Sequence, residues 1–270
     1  MLVFTLSLSV GWASTEFGIS IGFLLMFSPL ISAILTKIIT KDKPRDMKEL
    51  YLITNFKKSK MIYFMALACG IFANLAAGIA YLVFFGSEYD AGSYIFSNES
   101  EKIISAIPMM LTQSIFFIAI FFGEEYGWRA FLTPKLEKLM PEWAAYIVSG
   151  IIWGMWHKPV LDLGQNFGKE LPFFPYSNYA LMCLGCIFTG MIYTWLTKKS
   201  GSVFPAALAH AALDMSSGLS LIFVPKEIVN EGSNIAVFGI TAVAGAPLLI
   251  IAVYGIIKLV SKPEVKAASA

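Results

Sequence analysis

Apolar runs of helical length recur from one end of this 270-residue chain to the other, and no other feature constrains its fold more. A helix needs about 20 mostly apolar residues to cross ~30 Å of hydrocarbon. Seven runs qualify: 17–36, 61–85, 103–133, 143–161, 177–197, 202–224 and 236–258. An eighth, 2–13, is too short to cross at 1.5 Å per residue, and is expected to be an interfacial helix or part of a longer span. Composition agrees: 57% of residues are apolar, 14% are charged and mean hydropathy is +0.70. Soluble domains are nearer half apolar and a quarter charged. The expectation is an all-α fold, a polytopic transmembrane helix bundle of 7–8 spans. It forms a single integral membrane domain over residues 1–270, without internal repeat or soluble module.

Lys and Arg counts in alternate loops set the orientation. Segment 37–60, loop 134–142, the Lys198-Lys199 turn and the tail from Lys258 hold fifteen basic residues, against four on the other side. This predicts a cytoplasmic 37–60 loop and C-terminus, in the cell membrane. The bilayer is the first expected partner, and nucleic acid is not one. Loop 37–60 is chiefly a topology determinant, with anionic-lipid binding the lesser reading. The first apolar stretch has no basic n-region and no clear small-residue cleavage site, so no cleavable signal is expected in it. Cys69, Cys183 and Cys186 all lie in apolar runs, so packing rather than a disulfide framework is expected of them.

Against this background, "FFGEEYGWRAF" (121–131) is anomalous, because it carries Glu124, Glu125 and Arg129 into a span. His157 in the fourth span and His210 and Asp214 in the sixth complete the set, and those two histidines are the chain's only ones. Intramembrane ionisable groups are rare and face an interior or a water-filled cavity. A cavity between spans 3, 4 and 6 follows. Glu125 and Arg129 are i, i+4 and pair on one helix face, as His210 and Asp214 can. Glu124 is rotated by about 100°. Gly123-x-x-x-Gly127 and Gly150-x-x-x-Gly154 are small-residue stripes that let helices approach, and predict contact between the third and fourth spans. Depth arithmetic fits less well: Glu124 and His210 lie about 15 and 14 Å from the cytoplasmic ends of their spans, His157 about 22 Å.

Two carboxylates and two imidazoles in a low-dielectric cavity suit water activation. A buried glutamate is a competent general base, and a histidine with a second polar group can stabilise an oxyanion. The same set could instead hold a divalent metal such as zinc, through Glu124, His157 and His210, with a position open for water. The residues do not choose between the two versions. There is no H-E-x-x-H helix, no G-x-S-x-G elbow and no pair of intramembrane aspartates.

"EEYGWR" (124–129) resembles the E-E-x-x-x-R motif of the CPBP intramembrane proteases, the CAAX prenyl endopeptidase, bacteriocin-processing and Abi group. "WGMWH" (153–157) is similar to that family's F-x-x-x-H motif, and "HAALD" (210–214) to its H-x-x-x-N or H-x-x-x-D motif. The resemblance covers about residues 100–220. It implies that Glu124 and His157 activate the attacking water while Glu125 and Arg129 shape the site. His210 and Asp214 then stabilise the tetrahedral intermediate. Trp153 stands where the motif usually has Phe, which suits packing beneath His157. Asp214 stands where Asn is common; a deprotonated Asp cannot donate to an oxyanion, so it is left to orient His210 or help hold a metal. The expected activity is intramembrane endopeptidase cleavage of a membrane-associated or lipidated protein or peptide. The competing readings are a non-catalytic scaffold or bacteriocin-immunity protein, and a transporter, for which no repeat is found.

Overall fold

A computed structural model describes residues 25–42, 51–53, 56–86 and 95–225, and every element in them is helical. The expected span 236–258, the 2–13 segment and the C-terminal tail lie outside the described residues. In chain order the elements are α1 (Ser28–Ile39), α2 (Phe56–Phe85), α3 (Ile95–Phe116) and α4 (Ile118–Glu125). A π-helical segment, Tyr126–Leu132, and the short α5 (Thr133–Leu136) continue α4. Then come α6 (Glu142–Trp156), α7 (Lys158–Asp162), α8 (Tyr176–Ser200), α9 (Phe204–Met215) and a 3-10 segment, Ser217–Phe223. Proline occupies the first turn of α1, α5, α7 and α9, where its missing N–H has no helical partner to lose.

Two helices, Ser59–Phe85 and Tyr176–Ser200, are long and apolar enough to cross a membrane alone. Two bent pairs are long and apolar enough only when each is taken as one: α3 meets the α4–α5 stretch at 50°, and α9 meets the 3-10 segment at 44°. The continuous spans expected at 103–133 and 202–224 are thus each broken, at Phe117 and at Ser216. Fifteen-residue α6 is about 22 Å long, short of the hydrocarbon thickness, and it ends at His157.

α9 is the centre of the bundle, packed by α2, α3, α4 and α8. Its sequence explains why. Ala206, Ala207, Ala209, Ala211 and Ala212 are all wholly buried, so neighbours approach its backbone from every side. Gly70 of α2 is one such neighbour: a Cβ there would lie 2.5 Å from Ala212 Cβ. Asn74, one turn further along α2, donates to Leu213 O (2.7 Å) and Ser216 Oγ (2.9 Å), and so ties α2 to the bend after α9.

The glycine stripes meet different partners from those expected. Gly123 and Gly127 face Phe27 and Pro29 at the start of α1, where a Cβ on Gly127 would stand 2.3 Å from Pro29 Cβ. Gly150 and Gly154 of α6 lie against Ile187 and Cys183 of α8. The stripes permit close approach by α1 and α8, which fill those grooves; the third and fourth spans do meet as expected, through Thr133–Ser149 and Trp153–Glu124. Cys183 and Cys186 are both free and pack within the bundle.

At one end of the bundle Lys135 pairs with Asp42, Lys37 donates to Tyr126 Oη, and Lys198 pairs with Glu137 and Glu142. Three of the basic segments therefore share that end. Lys158, Asp162 and Tyr179 are joined at the other.

Candidate active site

The site forms where α4 becomes the π-helical segment. Such segments insert a residue into the helical ladder and recur at functional sites. Here the change of pitch falls between Glu125 and Tyr126, so both glutamates end a regular helix while Arg129 lies on the wider turn. The i, i+4 pairing read from the spacing is present: Arg129 Nε donates to Glu125 Oε2 at 2.9 Å. Glu125 is 0% exposed and Arg129 2%. The guanidinium lies 4.4 Å from the Trp153 ring centroid and 5.8 Å from that of Tyr193, and Nη2 has no hydrogen-bond partner among the described residues. Gly190 makes room for it, since a Cβ there would lie 3.1 Å from Nη1.

His210 reaches this pair from α9. Its Nδ1 donates to Glu125 Oε1 at 2.8 Å. The imidazole is enclosed by Phe121, Trp153 and Tyr193 at ring-centroid distances of 4.6, 5.3 and 5.6 Å. Glu125, not Asp214, thus orients His210. Asp214 lies one turn further along α9, near enough to interact electrostatically with His210, Glu124 and Glu125, and makes no hydrogen bond to His210 among the described residues.

Glu124 takes a different direction, as its rotation on the helix required. It is buried, and its Oε2 accepts from Trp153 Nε1 at 2.9 Å. His157 follows Trp153 by four residues and is half-buried; its Nδ1 donates back to the Trp153 carbonyl at 2.9 Å. Because a carbonyl only accepts, Nδ1 carries the proton, and a neutral His157 keeps its lone pair on Nε2. These two bonds account for the depth mismatch. The level shared with Glu124 is that of Trp153, eleven residues along α6 and about 16 Å from Glu142. His157 lies one turn higher and folds back toward it.

Glu124, Glu125 and His210 each offer a ligating atom within 4.8 Å of the others, a buried group of a kind that can hold a metal ion. His157, expected as the third ligand, is not in this group; Glu125 takes its place. The sequence reading missed the indole of Trp153 as a donor to Glu124. The signal was available, because a Trp in a motif position usually held by Phe adds an N–H. It also missed Tyr193 and Phe121, which nothing but their place in a span could have marked.

Residues 105–216, which include all three motifs, match the family model for Rce1-like type II CAAX prenyl endopeptidases. Over that stretch the chain is similar to the Rce1-like family. The chain is also similar to CAAX prenyl protease 2 of Methanococcus maripaludis, 24% identical over 233 residues that cover 83% of this chain and 81% of that one. Together these matches show a protease and support an endopeptidase built into the membrane.

Proposed function

We propose that this protease hydrolyses a peptide bond of a membrane-associated, lipidated protein or peptide, with water activated by Glu124 and His157. The methanococcal relative is a CAAX prenyl protease, which supports a prenylated C-terminal segment as the substrate. The observation that carries the mechanism is the pair of bonds on Trp153, which hold the Glu124 carboxylate and the His157 imidazole from one residue.

In this reading the Glu124 carboxylate takes a proton from water, with His157 Nε2 as a second acceptor, and the resulting hydroxide adds to the scissile carbonyl carbon. The carbonyl electrons move to oxygen. In its protonated form His210 presents Nε2–H to that oxyanion, and the Glu125 carboxylate balances the imidazolium charge. Collapse of the intermediate breaks the C–N bond, and the proton held by Glu124 passes to the leaving amine. Arg129 fixes Glu125 and stays out of the proton path. The donor set also fits a divalent ion such as zinc: Glu124, Glu125 and His210 would hold it, and when bound it supplies a Lewis acid for water and carbonyl.

Orientation belongs to the same proposal. The shared end of segments 37–42, 135–142 and Lys198 supports a common cytoplasmic face for the basic loops, in the cell membrane. The test is cleavage of a farnesylated C-terminal peptide and its unprenylated counterpart by the purified protein, with and without chelator. Cleavage that needs the lipid and is lost in Glu124→Ala is expected. No cleavage of either peptide by folded protein overturns the proposal.

A further inference from the structure

A buried indole N–H in a membrane protein needs an acceptor, and many would serve. In this fold satisfaction is not automatic. Trp128 and Trp153 are each 3% exposed, yet Trp128 Nε1 has no partner among the described residues while Trp153 Nε1 is bonded to Glu124. The acceptor is the glutamate of the adjacent pair that Arg129 does not engage. Trp153 Nε1 is also the one hydrogen-bond donor to that carboxylate among the described residues.

The ring itself is held on several sides. Arg129 lies 4.4 Å from its centroid, His210 meets it edge-on at 5.3 Å and 78°, and Tyr193 lies at 6.0 Å. The same residue's carbonyl accepts from His157 Nδ1. Its indole therefore touches the Glu124 carboxylate, the His210 imidazole and the Arg129 guanidinium, and its backbone touches His157. Phe, the residue usual at this motif position, would keep the ring contacts and the carbonyl but has no N–H to donate.

We propose that Trp153 is a positioning residue: its indole N–H fixes the Glu124 carboxylate, and its carbonyl fixes His157, so that both members of the water-activating pair are set by one side chain and its own backbone. This rests on the mechanism above. In the carboxylate form that takes the proton from water the acceptor is charged, and hydrogen bonds to charged groups are the stronger kind. Without the N–H, Glu124 keeps its place on α4 but loses the bond that selects its rotamer. The loss belongs to kcat, with KM little changed, because no substrate contact is removed.

The experiment is replacement of Trp153 by benzothienylalanine, which retains ring size and shape with sulfur in place of the N–H, beside the variant Trp153→Phe. Each should fold as the parent does. Each should lose roughly 10- to 100-fold in kcat on a farnesylated peptide, the fold-change of one lost charged hydrogen bond. A kcat within twofold of the parent, in protein that Glu124→Ala inactivates, overturns the positioning role and leaves the peptidase reading intact. A second measurement does not depend on turnover. With indole-15N tryptophan in detergent-solubilised protein, the resonance absent from Trp153→Phe should lie downfield of that of Trp128 and move upfield in Glu124→Ala. If it does neither, the bond is absent and the proposal fails, whatever the cleavage assay gives.

Discussion

Glu124 and Glu125 are adjacent in the chain, yet their substitution by glutamine should separate them completely. Glu125 is 0% exposed and is bonded by Arg129 Nε at 2.9 Å and His210 Nδ1 at 2.8 Å. Both partners are donors, and a glutamine there offers one acceptor oxygen and an amide that opposes the second donor. The guanidinium is then left buried without a counter-charge, and breaking a buried pair on one side costs about 3–5 kcal/mol. Glu124 has one bond, from Trp153 Nε1, which a glutamine oxygen can still accept. Its loss should be about 1 kcal/mol or less. At about 2–4 °C per kcal/mol for a chain of this size, Glu125→Gln should lower Tm by roughly 6–20 °C, and Glu124→Gln by less than about 4 °C. The cysteines supply the assay: Cys69 and Cys186 are buried and Cys183 is half-buried, so a thiol-reactive fluorophore reports unfolding in detergent. Both variants should lose cleavage, Glu124→Gln by roughly 100-fold or more as expected for a general base. Equal melting of the two variants would refute the assignment of a structural charge to 125 and a chemical one to 124. The double variant Glu125→Leu/Arg129→Met should regain part of the lost stability, because an apolar replacement removes both charges together.

Three smaller perturbations follow from the packing. Gly190→Ala places a methyl 3.1 Å from Arg129 Nη1 and should lower cleavage with modest loss of stability, whereas Gly190→Val should also lower Tm; thermal melts and turnover measured together check this. Gly154→Ala drives a Cβ to 2.6 Å from Cys183 Cα, a backbone atom that cannot step aside, and should cost about 1–3 kcal/mol in the same melt. At the membrane edge, Glu142 is held below the usual carboxylate range, first by the Lys198 hydrogen bond and then by the Tyr146 hydroxyl. A lowered carboxylate pKa adds stability at neutral pH that is lost as pH falls through it. Glu142→Gln should therefore cost less than about 1 kcal/mol at pH 7, since the pair is exposed, and progressively less as pH falls through the lowered value.

Much of the site was legible in the sequence because charge is so costly in a span. Glu125 and Arg129 were paired by spacing alone, and the small membership of the set drew His210 to the same place. What the sequence could not carry was the identity of neighbours. A small-residue stripe says that some helix comes close, yet Gly123 and Gly127 meet α1 and Gly150 and Gly154 meet α8. The bends had no marker either: the one proline inside α3, Pro108, precedes the break at Phe117 by nine residues. His157 and Asp214 show the limit of periodicity. The first is placed by a bond to a backbone carbonyl and the second lies near His210 without a hydrogen bond to it, although both sit in motif positions.

Three helices of the site are interrupted beside it. α4 changes pitch at Glu125, α6 stops at His157, and α9 gives way to the 3-10 segment after Ser216. Each change of helix type releases carbonyl groups from their in-helix donors. Hydrocarbon offers those groups nothing, so such backbone persists at membrane depth only against protein or along a wet crevice. Under the proposed hydrolysis, interrupted main chain of this kind would draw hydration to the layer where the peptide bond is opened.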